Sequence, residues 1–152
     1  MDVLPEIAGS TPIAIAADVA RAIRAATVAA MPQEACGLIF ADSSGHIVSA
    51  SIAPNIAESP HRRFEIDPAH LFAAHRGVRG SPLCIAGCWH SHPNGRATPS
   101  RRDFAGVGDT GWLWLIAADD LLHAFRPESG GFRAVRLVEA SMPAVAPPLA
   151  GR

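Results

Sequence analysis

Two histidines and an aspartate in one short stretch of the chain could hold a catalytic metal ion. His90 and His92 flank a serine after an apolar run, and Asp103 follows across a loop that contains glycine and proline. Side chains alternate along extended chain, so both imidazoles project to the same side and can reach one ion. Asp103 could return from the first turn of a following helix as an oxygen ligand. Two nitrogens and one carboxylate form the open ligand set that zinc uses in catalysis, with a fourth position left for water.

Hydrolysis at such a centre also needs groups that move protons and stabilise negative charge. Glu34 is the candidate general base, because a base must take the proton of the water and pass it to the leaving amine. It lies between an apolar helix and an apolar run, where a carboxylate without a polar partner is costly. The hydroxyl of Ser100 is the candidate donor to the oxyanion that forms as a carbonyl becomes tetrahedral.

Each of these residues also has a purely structural interpretation. A His-x-His pair can simply end a strand, and Glu34 can be a solvated residue before one. Ser100 can cap a helix, with Asp103 at the third helical position, where the helix dipole favours an acid. This capping is compatible with catalysis, and the joint presence of all five residues favours a metal site.

Other conspicuous side chains near the motif have two interpretations each. Cys36 and Cys88 are expected to be small buried hydrophobes, although their closeness to the motif also suggests redox control or an extra ligand. Trp89 should point away from the histidines, into the core. The His-Arg-Arg segment at 61–63 could hold a substrate carboxylate, since guanidinium pairs well with carboxylates, or it could simply form an exposed loop.

The elements that must position these side chains are predicted from hydrophobic periodicity and turn residues. Apolar residues at helical spacing predict a helix over 15–30, and Asp67 as N-cap predicts a second helix over 68–75. A short helix over 100–107 would carry the serine and aspartate of the motif. The tail 142–152 is rich in proline and is expected to be frayed. Strands are predicted over 36–40, 46–52, 83–89, 112–117, 122–126 and 132–139, which implies an α/β or α+β sheet.

Length and composition exclude several classes of protein. The 152 residues suit a single domain. A net charge of -1 offers no general attraction to a phosphate backbone, so no nucleic-acid partner is expected. The apolar stretch 11–31 is interrupted by charged residues and lacks a basic start, so we expect no membrane span or signal peptide and a cytoplasmic location. The three cysteines contain no CxxC pair and predict neither a disulfide framework nor a cysteine metal site.

Together these residues resemble the signature of the JAMM, or MPN-plus, metallo-isopeptidases, whose catalytic unit is the JAB domain. Glu34 precedes Ala-Cys-Gly-Leu, and His-x-His-Pro at 90–93 is followed by Ser100 and Asp103 at the spacing of that family. With each residue type at a few per cent, the five fixed identities after the glutamate are expected by chance in roughly one chain in 10,000 of this length. In general layout the resemblance extends over 12–140.

The resemblance implies a fold, a cofactor and a site. The fold would be a mixed, mostly antiparallel β-sheet flanked by helices, in the cytidine-deaminase-like arrangement of JAMM proteins, forming one domain over 1–141 before a flexible proline-rich tail. Zn²⁺ would be held by two histidines and an aspartate. The catalytic residues would be a glutamate and a serine. In this sequence the matching positions are His90, His92, Asp103, Glu34 and Ser100.

The resemblance also implies an activity and a partner. Members of the family hydrolyse peptide or isopeptide bonds at the C-terminus of ubiquitin or ubiquitin-like proteins. The chain has no obvious place for the long insertions of eukaryotic deubiquitinases and is similar to compact bacterial members. The expected substrate is therefore a ubiquitin-like, β-grasp sulfur-carrier protein whose diglycine tail enters a narrow groove.

Two other functions remain open on the sequence alone. One is a non-catalytic scaffold, as in MPN relatives that lack metal, although those relatives have lost ligands that this chain keeps. The other is a role linked to DNA repair, against which the nearly neutral charge argues.

Overall fold

One mixed β-sheet of nine strands forms the centre of the fold in the computed structural model, which describes residues 2–108 and 111–150. The strands are β1 (Asp2–Leu4), β2 (Ile13–Ala16), β3 (Cys36–Ala41), β4 (Ile47–Ala50), β5 (Cys84–Ser91), β6 (Leu113–Ala118), β7 (Leu121–Glu128), β8 (Gly131–Val135) and β9 (Leu137–Ala140). They lie in the order β1-β8-β7-β6-β5-β3-β4-β2-β9. The pairing β3–β5 at the centre is antiparallel, whereas β5–β6 beside it is parallel. The predicted mixed sheet with flanking helices is confirmed.

Helices cover both faces of this sheet. α1 (Ala17–Ala30) packs on one face, where its apolar side joins a core cluster that includes Trp89. α2 (Pro68–Arg79) and α3 (Arg101–Ala105) lie on the other face, over a second cluster that includes Cys88. Trp89 is fully buried, in the core as predicted. No helix in the described part of the chain is long and apolar enough to cross a membrane.

The sheet curls around α1, and a single residue, Arg136, connects two strands that lie near opposite ends of the strand order. β8 ends at Val135 and β9 begins at Leu137, yet β8 pairs with β1 and β9 pairs with β2, at opposite ends of the strand order. α1 contacts β2, β4, β6 and β9, so the curled sheet wraps it on several sides. The predicted single strand over 132–139 was therefore wrong, because the chain changes partners at Arg136.

Element boundaries differ from the prediction where apolar periodicity continues across a junction. The predicted helix over 15–30 begins at Ala17, since Ile15 belongs to β2, a strand that was not predicted. The second helix has Asp67 as its N-cap, as predicted, but it continues beyond 75 to Arg79.

The segment 142–150 lies against the domain without regular secondary structure. The backbone N–H of Val145 donates to the carbonyl of Val48 at 2.9 Å, and that of Ala150 donates to Ala73 of α2 at 3.0 Å. A Cβ at Gly77 would lie 1.8 Å from the carbonyl oxygen of Pro148, so glycine permits this close approach. The flexibility expected for this tail stays a prediction.

A second close approach at Gly37 fixes the central strands that lead to the motif. A Cβ on Gly37 would lie 1.8 Å from the carbonyl oxygen of Ser51. The indole N–H of Trp89 donates to that same carbonyl at 2.8 Å. Glycine at this point therefore lets the chain after β4 cross close over β3. Trp89 of β5 is anchored to that crossing segment through Ser51.

Candidate metal centre

The end of β5 places both histidines of the motif in one buried position. His90 lies on β5, and His92 follows directly after its last residue. The backbone N–H of His92 donates to the carbonyl of Ala117 on β6 at 2.8 Å, which continues the ladder by one residue. His90 is fully buried and His92 nearly so. Their ring planes meet edge to face with centroids 4.7 Å apart, so the two imidazoles converge as the alternation of strand side chains predicts.

Potential ligand atoms from three residues converge at the end of this strand. Nε2 of His90 and Nε2 of His92 lie 2.9 Å apart. The carboxylate of Asp103 places Oδ1 3.0 Å from the first of these nitrogens and Oδ2 3.0 Å from the second. At zinc–ligand distances of about 2.0–2.2 Å, tetrahedral ligand atoms are about 3.3 Å apart. The two nitrogens and one oxygen of Asp103 are therefore close enough to share one ion after a shift of a few tenths of an ångström.

The hydrogen bonds around the histidines indicate which ring nitrogens are free to bind a cation. Nδ1 of His92 lies 2.8 Å from the carbonyl oxygen of Arg96. Because a carbonyl can only accept, Nδ1 carries the hydrogen, and a neutral ring then presents a lone pair on Nε2. That lone pair faces a second imidazole nitrogen and the Asp103 carboxylate. A shared cation would remove the repulsion among these acceptors, so the donor set fits a metal ion.

Burial and charge act in opposite directions on the three groups. Burial alone would raise the pKa of Asp103, but the two histidines, which donate hydrogen bonds to it in their protonated forms, hold that pKa well below the usual range. Burial lowers the pKa of His90, and the aspartate opposes this only in part. Burial also acts to lower the pKa of His92, but the aspartate outweighs it and raises the value. The aspartate therefore stays ionised between the two rings.

Glu34 lies buried beside this cluster. One oxygen of Glu34 and one nitrogen of each motif histidine all lie within 4.8 Å of one another. Glu34 is buried, and its Oε1 has no hydrogen-bond partner among the described residues. Burial raises its pKa to about 7, and the neighbouring charges of His92 and Asp103 act in opposite directions. A carboxylate with this pKa can both accept and donate a proton near neutral pH.

The backbone around Glu34 is tied to both the strand and the loop that border the centre. The N–H of Glu34 donates to the carbonyl of Pro60 at 2.8 Å, and its own carbonyl accepts from the side-chain amide of Asn55 at 2.9 Å. The next residue, Ala35, exchanges hydrogen bonds with the hydroxyl and the N–H of Ser91 on β5. The position of the glutamate therefore depends on contacts from two separate parts of the chain.

Ser100 caps α3 in the structure, as its structural interpretation predicts. Its hydroxyl accepts from the N–H of Asp103 at 3.1 Å, and its own N–H donates to Oδ2 of Asp103 at 2.8 Å. This reciprocal capping box orients the aspartate toward the histidines. The hydroxyl hydrogen is not used by the cap. The predicted role of Ser100 as an oxyanion donor stays a prediction.

A cavity of about 760 Å³ adjoins the centre. Asp103 and Arg102 of α3 form one side, and the loop before α2 forms another, with Arg63 and Phe64 among its lining residues. Trp112 contributes an apolar wall. Of the segment 61–63, the structure thus brings Arg63 to the cavity wall, with all three side chains exposed.

Two residues in contact with the centre were not predicted from the sequence. Phe64 stacks on the ring of His90, and Asn55 bonds the backbone of Glu34. Both lie in the loop between β4 and α2, and no local pattern indicates where such a loop folds. The two cysteines near the motif are buried, as expected; burial raises the pKa of Cys36 to about 12 and also raises that of Cys88.

The fold is similar to that of several solved structures, one of which is described as a JAB1/MPN domain protein. A JAB1/MPN domain protein from Archaeoglobus fulgidus superposes with a TM-score of 0.56 at 18% identity, covering 84% of this chain and all of that one. A protein from Desulfitobacterium hafniense gives a TM-score of 0.78 at 23% identity, over 86% of this chain and 94% of its own. At these identities the likeness establishes the fold alone.

Residues 16–138 match the family model described as prokaryotic homologs of the JAB domain. The chain belongs to this family. It is also 29% identical over 90 residues to a protein from Haloferax volcanii named desampylase, and 32% identical over 74 residues to a Thermus thermophilus protein named "Probable TtuB-protein conjugate cleaving protease". The matches cover 59% and 47% of this chain, and 65% and 48% of those relatives.

Proposed function

We propose that this chain is a zinc metallopeptidase that hydrolyses a peptide or isopeptide bond at the C-terminus of a ubiquitin-like sulfur-carrier protein. The observation that carries the proposal is the cluster of His90, His92 and Asp103, whose ligand atoms lie 2.9–3.0 Å apart beside a glutamate oxygen that no described residue contacts by a hydrogen bond. Family membership supports it. So does the name of the Thermus relative, which describes cleavage of TtuB–protein conjugates.

Zinc is the proposed metal because the donor set consists of two imidazole nitrogens and one carboxylate. Catalytic zinc sites commonly have three protein ligands of these types. When bound, zinc supplies a Lewis acid that polarises the scissile carbonyl and makes a water molecule more acidic. The two histidines and Asp103 would hold it, and the carbonyl of Arg96 would orient His92.

Glu34 is the proposed general base and acid. Its carboxylate would take a proton from the attacking water as the new C–O bond forms, and would then deliver that proton to the leaving nitrogen as the C–N bond breaks. One proton is accepted and one returned, so the glutamate is regenerated in each turnover. The raised pKa of Glu34, about 7, suits both steps.

The cavity beside Asp103 is the proposed binding site for a thin, extended peptide. A cavity of about 760 Å³ is within the usual range for ligand sites, and this one combines the apolar wall at Trp112 with the cations Arg63 and Arg102. A diglycine tail presents no side chains, so it could reach a buried centre where a bulkier chain would not. This supports a ubiquitin-like partner with a diglycine end. The cytoplasmic location stays a prediction from the sequence.

Cleavage of diglycine-ended carrier fusions tests the proposed substrate. Purified protein loaded with zinc should release the group attached after the diglycine end of a β-grasp sulfur carrier, measured by mass spectrometry. The matched control is the same fusion with the two glycines replaced by alanine, which should be cut much more slowly. If every carrier fusion stays intact while unrelated peptides are cut, the substrate is wrong. Carrier binding without any cleavage or zinc uptake would instead favour the scaffold function.

Ser100 offers a prediction that separates helix capping from catalysis. Glycine is nearly as good an N-cap as serine but has no side chain that could donate a hydrogen bond, so Ser100→Gly should leave the free energy of unfolding within about 0.5 kcal/mol of wild type. If the hydroxyl donates to the oxyanion, kcat should fall by about 100- to 1000-fold. Ser100→Thr keeps both functions and is the control. Wild-type kcat in the glycine variant would restrict Ser100 to capping.

A further inference from the structure

The ring of His90 is confined by two aromatic side chains. Phe64 stacks on it with ring centroids 4.3 Å apart and an interplanar angle of 17°. Trp114 meets the same imidazole edge to face, at 5.7 Å and 88°. Phe64 and Trp114 also contact each other at 5.7 Å and 72°. Rotation of the imidazole about its Cβ–Cγ bond would break the stacking with Phe64.

Within the described part of the chain, His90 has no partner for the hydrogen bond that metal-binding histidines usually make at their second nitrogen. Such histidines almost always donate this N–H to a carboxylate, carbonyl or water, which fixes the ring. His92 follows this rule through Arg96, whereas Nδ1 of His90 is buried and has no partner among the described residues. Among the described residues, the contacts that hold the ring of His90 on this side are therefore aromatic.

The loop that carries Phe64 is held firmly enough to do this. The side-chain amide of Asn55 donates to the carbonyl of Arg63 at 3.1 Å, and its oxygen accepts from the N–H of Glu65 at 3.1 Å. These two peptide groups flank Phe64 on either side. The same asparagine also bonds Glu34, so the loop is anchored to the metal centre. An aromatic ring on so constrained a backbone can hold a neighbour in place.

We infer that Phe64 is a positioning residue for the metal centre: its ring, stacked on His90, keeps Nε2 directed at the shared ligand position in place of a hydrogen bond at Nδ1. The inference rests on the proposed function, because it assumes that His90 binds the metal. Offset stacking suits this task, since an imidazole whose nitrogen binds a cation is electron-poor and is attracted to the face of a benzene ring. A residue that only lined the cavity would have no such effect on the orientation of His90.

Substitutions that keep apolar volume but remove the aromatic face separate these roles. Phe64→Leu and Phe64→Met should weaken zinc binding by about 10- to 100-fold, the usual effect of losing an outer-shell partner. Phe64→Tyr keeps the stacked ring and should restore wild-type affinity. Phe72→Leu is the matched control, because Phe72 is 67% exposed on α2.

Three measurements on the same proteins distinguish the outcomes. Zinc affinity is measured by competition with a chromophoric chelator, ligand geometry by the absorption spectrum of the Co²⁺-loaded protein, and folding by thermal unfolding of the metal-free protein. We expect Phe64→Leu to change the first two while its metal-free form remains folded. Should it fail to fold, Phe64→Met gives the same comparison.

The results separate this inference from the function on which it rests. A wild-type protein that binds no zinc refutes the proposed function and the inference together. If the wild type binds zinc and Phe64→Leu or Phe64→Met binds it equally well with an unchanged Co²⁺ spectrum, only the positioning role is refuted. Weaker binding that tyrosine does not rescue also refutes it, because the stacked ring would then not be what matters.

Discussion

The Glu34→Gln protein is expected to bind zinc as tightly as the wild type and to lose almost all peptidase activity. The amide has the shape of the carboxylate but cannot take a proton from water. Removal of a positioned general base costs about 100- to 10,000-fold in rate. Because Glu34 is buried and its Oε1 has no partner among the described residues, the substitution breaks no hydrogen bond at that atom. Activity on a carrier fusion and zinc content by atomic absorption measure the two expectations.

Glu6→Gln is the matched control for this experiment. Glu6 is exposed and lies outside the motif, so the same chemical change there should leave both activity and zinc content unaltered. Loss of zinc from Glu34→Gln would mean that the glutamate acts as a ligand rather than as a base. Retained activity would remove it from the reaction.

Asp103→Asn should lower zinc affinity by more than about 100-fold and abolish hydrolysis. The aspartate contacts both motif histidines at 3.0 Å, and outer-shell substitutions alone cost 10- to 100-fold in affinity. Asparagine keeps an oxygen that can accept the N–H of Ser100, so the cap of α3 can survive. The loss of zinc affinity would then come from the missing negative charge and the missing carboxylate ligand. Chelator competition and thermal unfolding of the metal-free protein measure it.

Asp67→Asn provides the comparison for the aspartate of the motif. Asp67 caps α2 with its side chain, which accepts from Ala69 at 2.9 Å, and asparagine caps equally well. This variant should bind zinc normally. Zinc affinity unchanged in Asp103→Asn, in a protein that is folded, would contradict the assignment of that residue as a ligand.

The candidate site could be predicted from the sequence because its geometry is mostly local. The strand alternation that brings His90 and His92 together acts over three residues, and the capping box that orients Asp103 acts over four. Glu34 was proposed from its place between two apolar segments, and its match to the family motif supported that choice. Its backbone is held by Asn55 and Pro60 from a separate loop, and those contacts have no signal in local sequence.

The fold was less completely predictable, for reasons visible at particular junctions. Ile15 continues the helical apolar pattern of α1, so β2 could not be separated from the helix by periodicity. The strand 132–139 reads as continuous because no glycine or proline interrupts the sequence around Arg136, and only the partners differ on its two sides. The role proposed for Phe64 likewise depends on its stacking with His90, which is distant from it in the sequence.

The pairing of β1 with β8 and of β2 with β9 has a consequence for synthesis on the ribosome. Both N-terminal strands lie parallel to strands that are translated near the end of the chain, with Asp2 opposite Gly131 and Ile13 opposite Leu137. Closing such long loops is entropically costly and slow. All of the residues proposed to bind zinc or catalyse emerge before either partner strand does. The nascent polypeptide therefore carries the complete motif before the sheet that supports it can close.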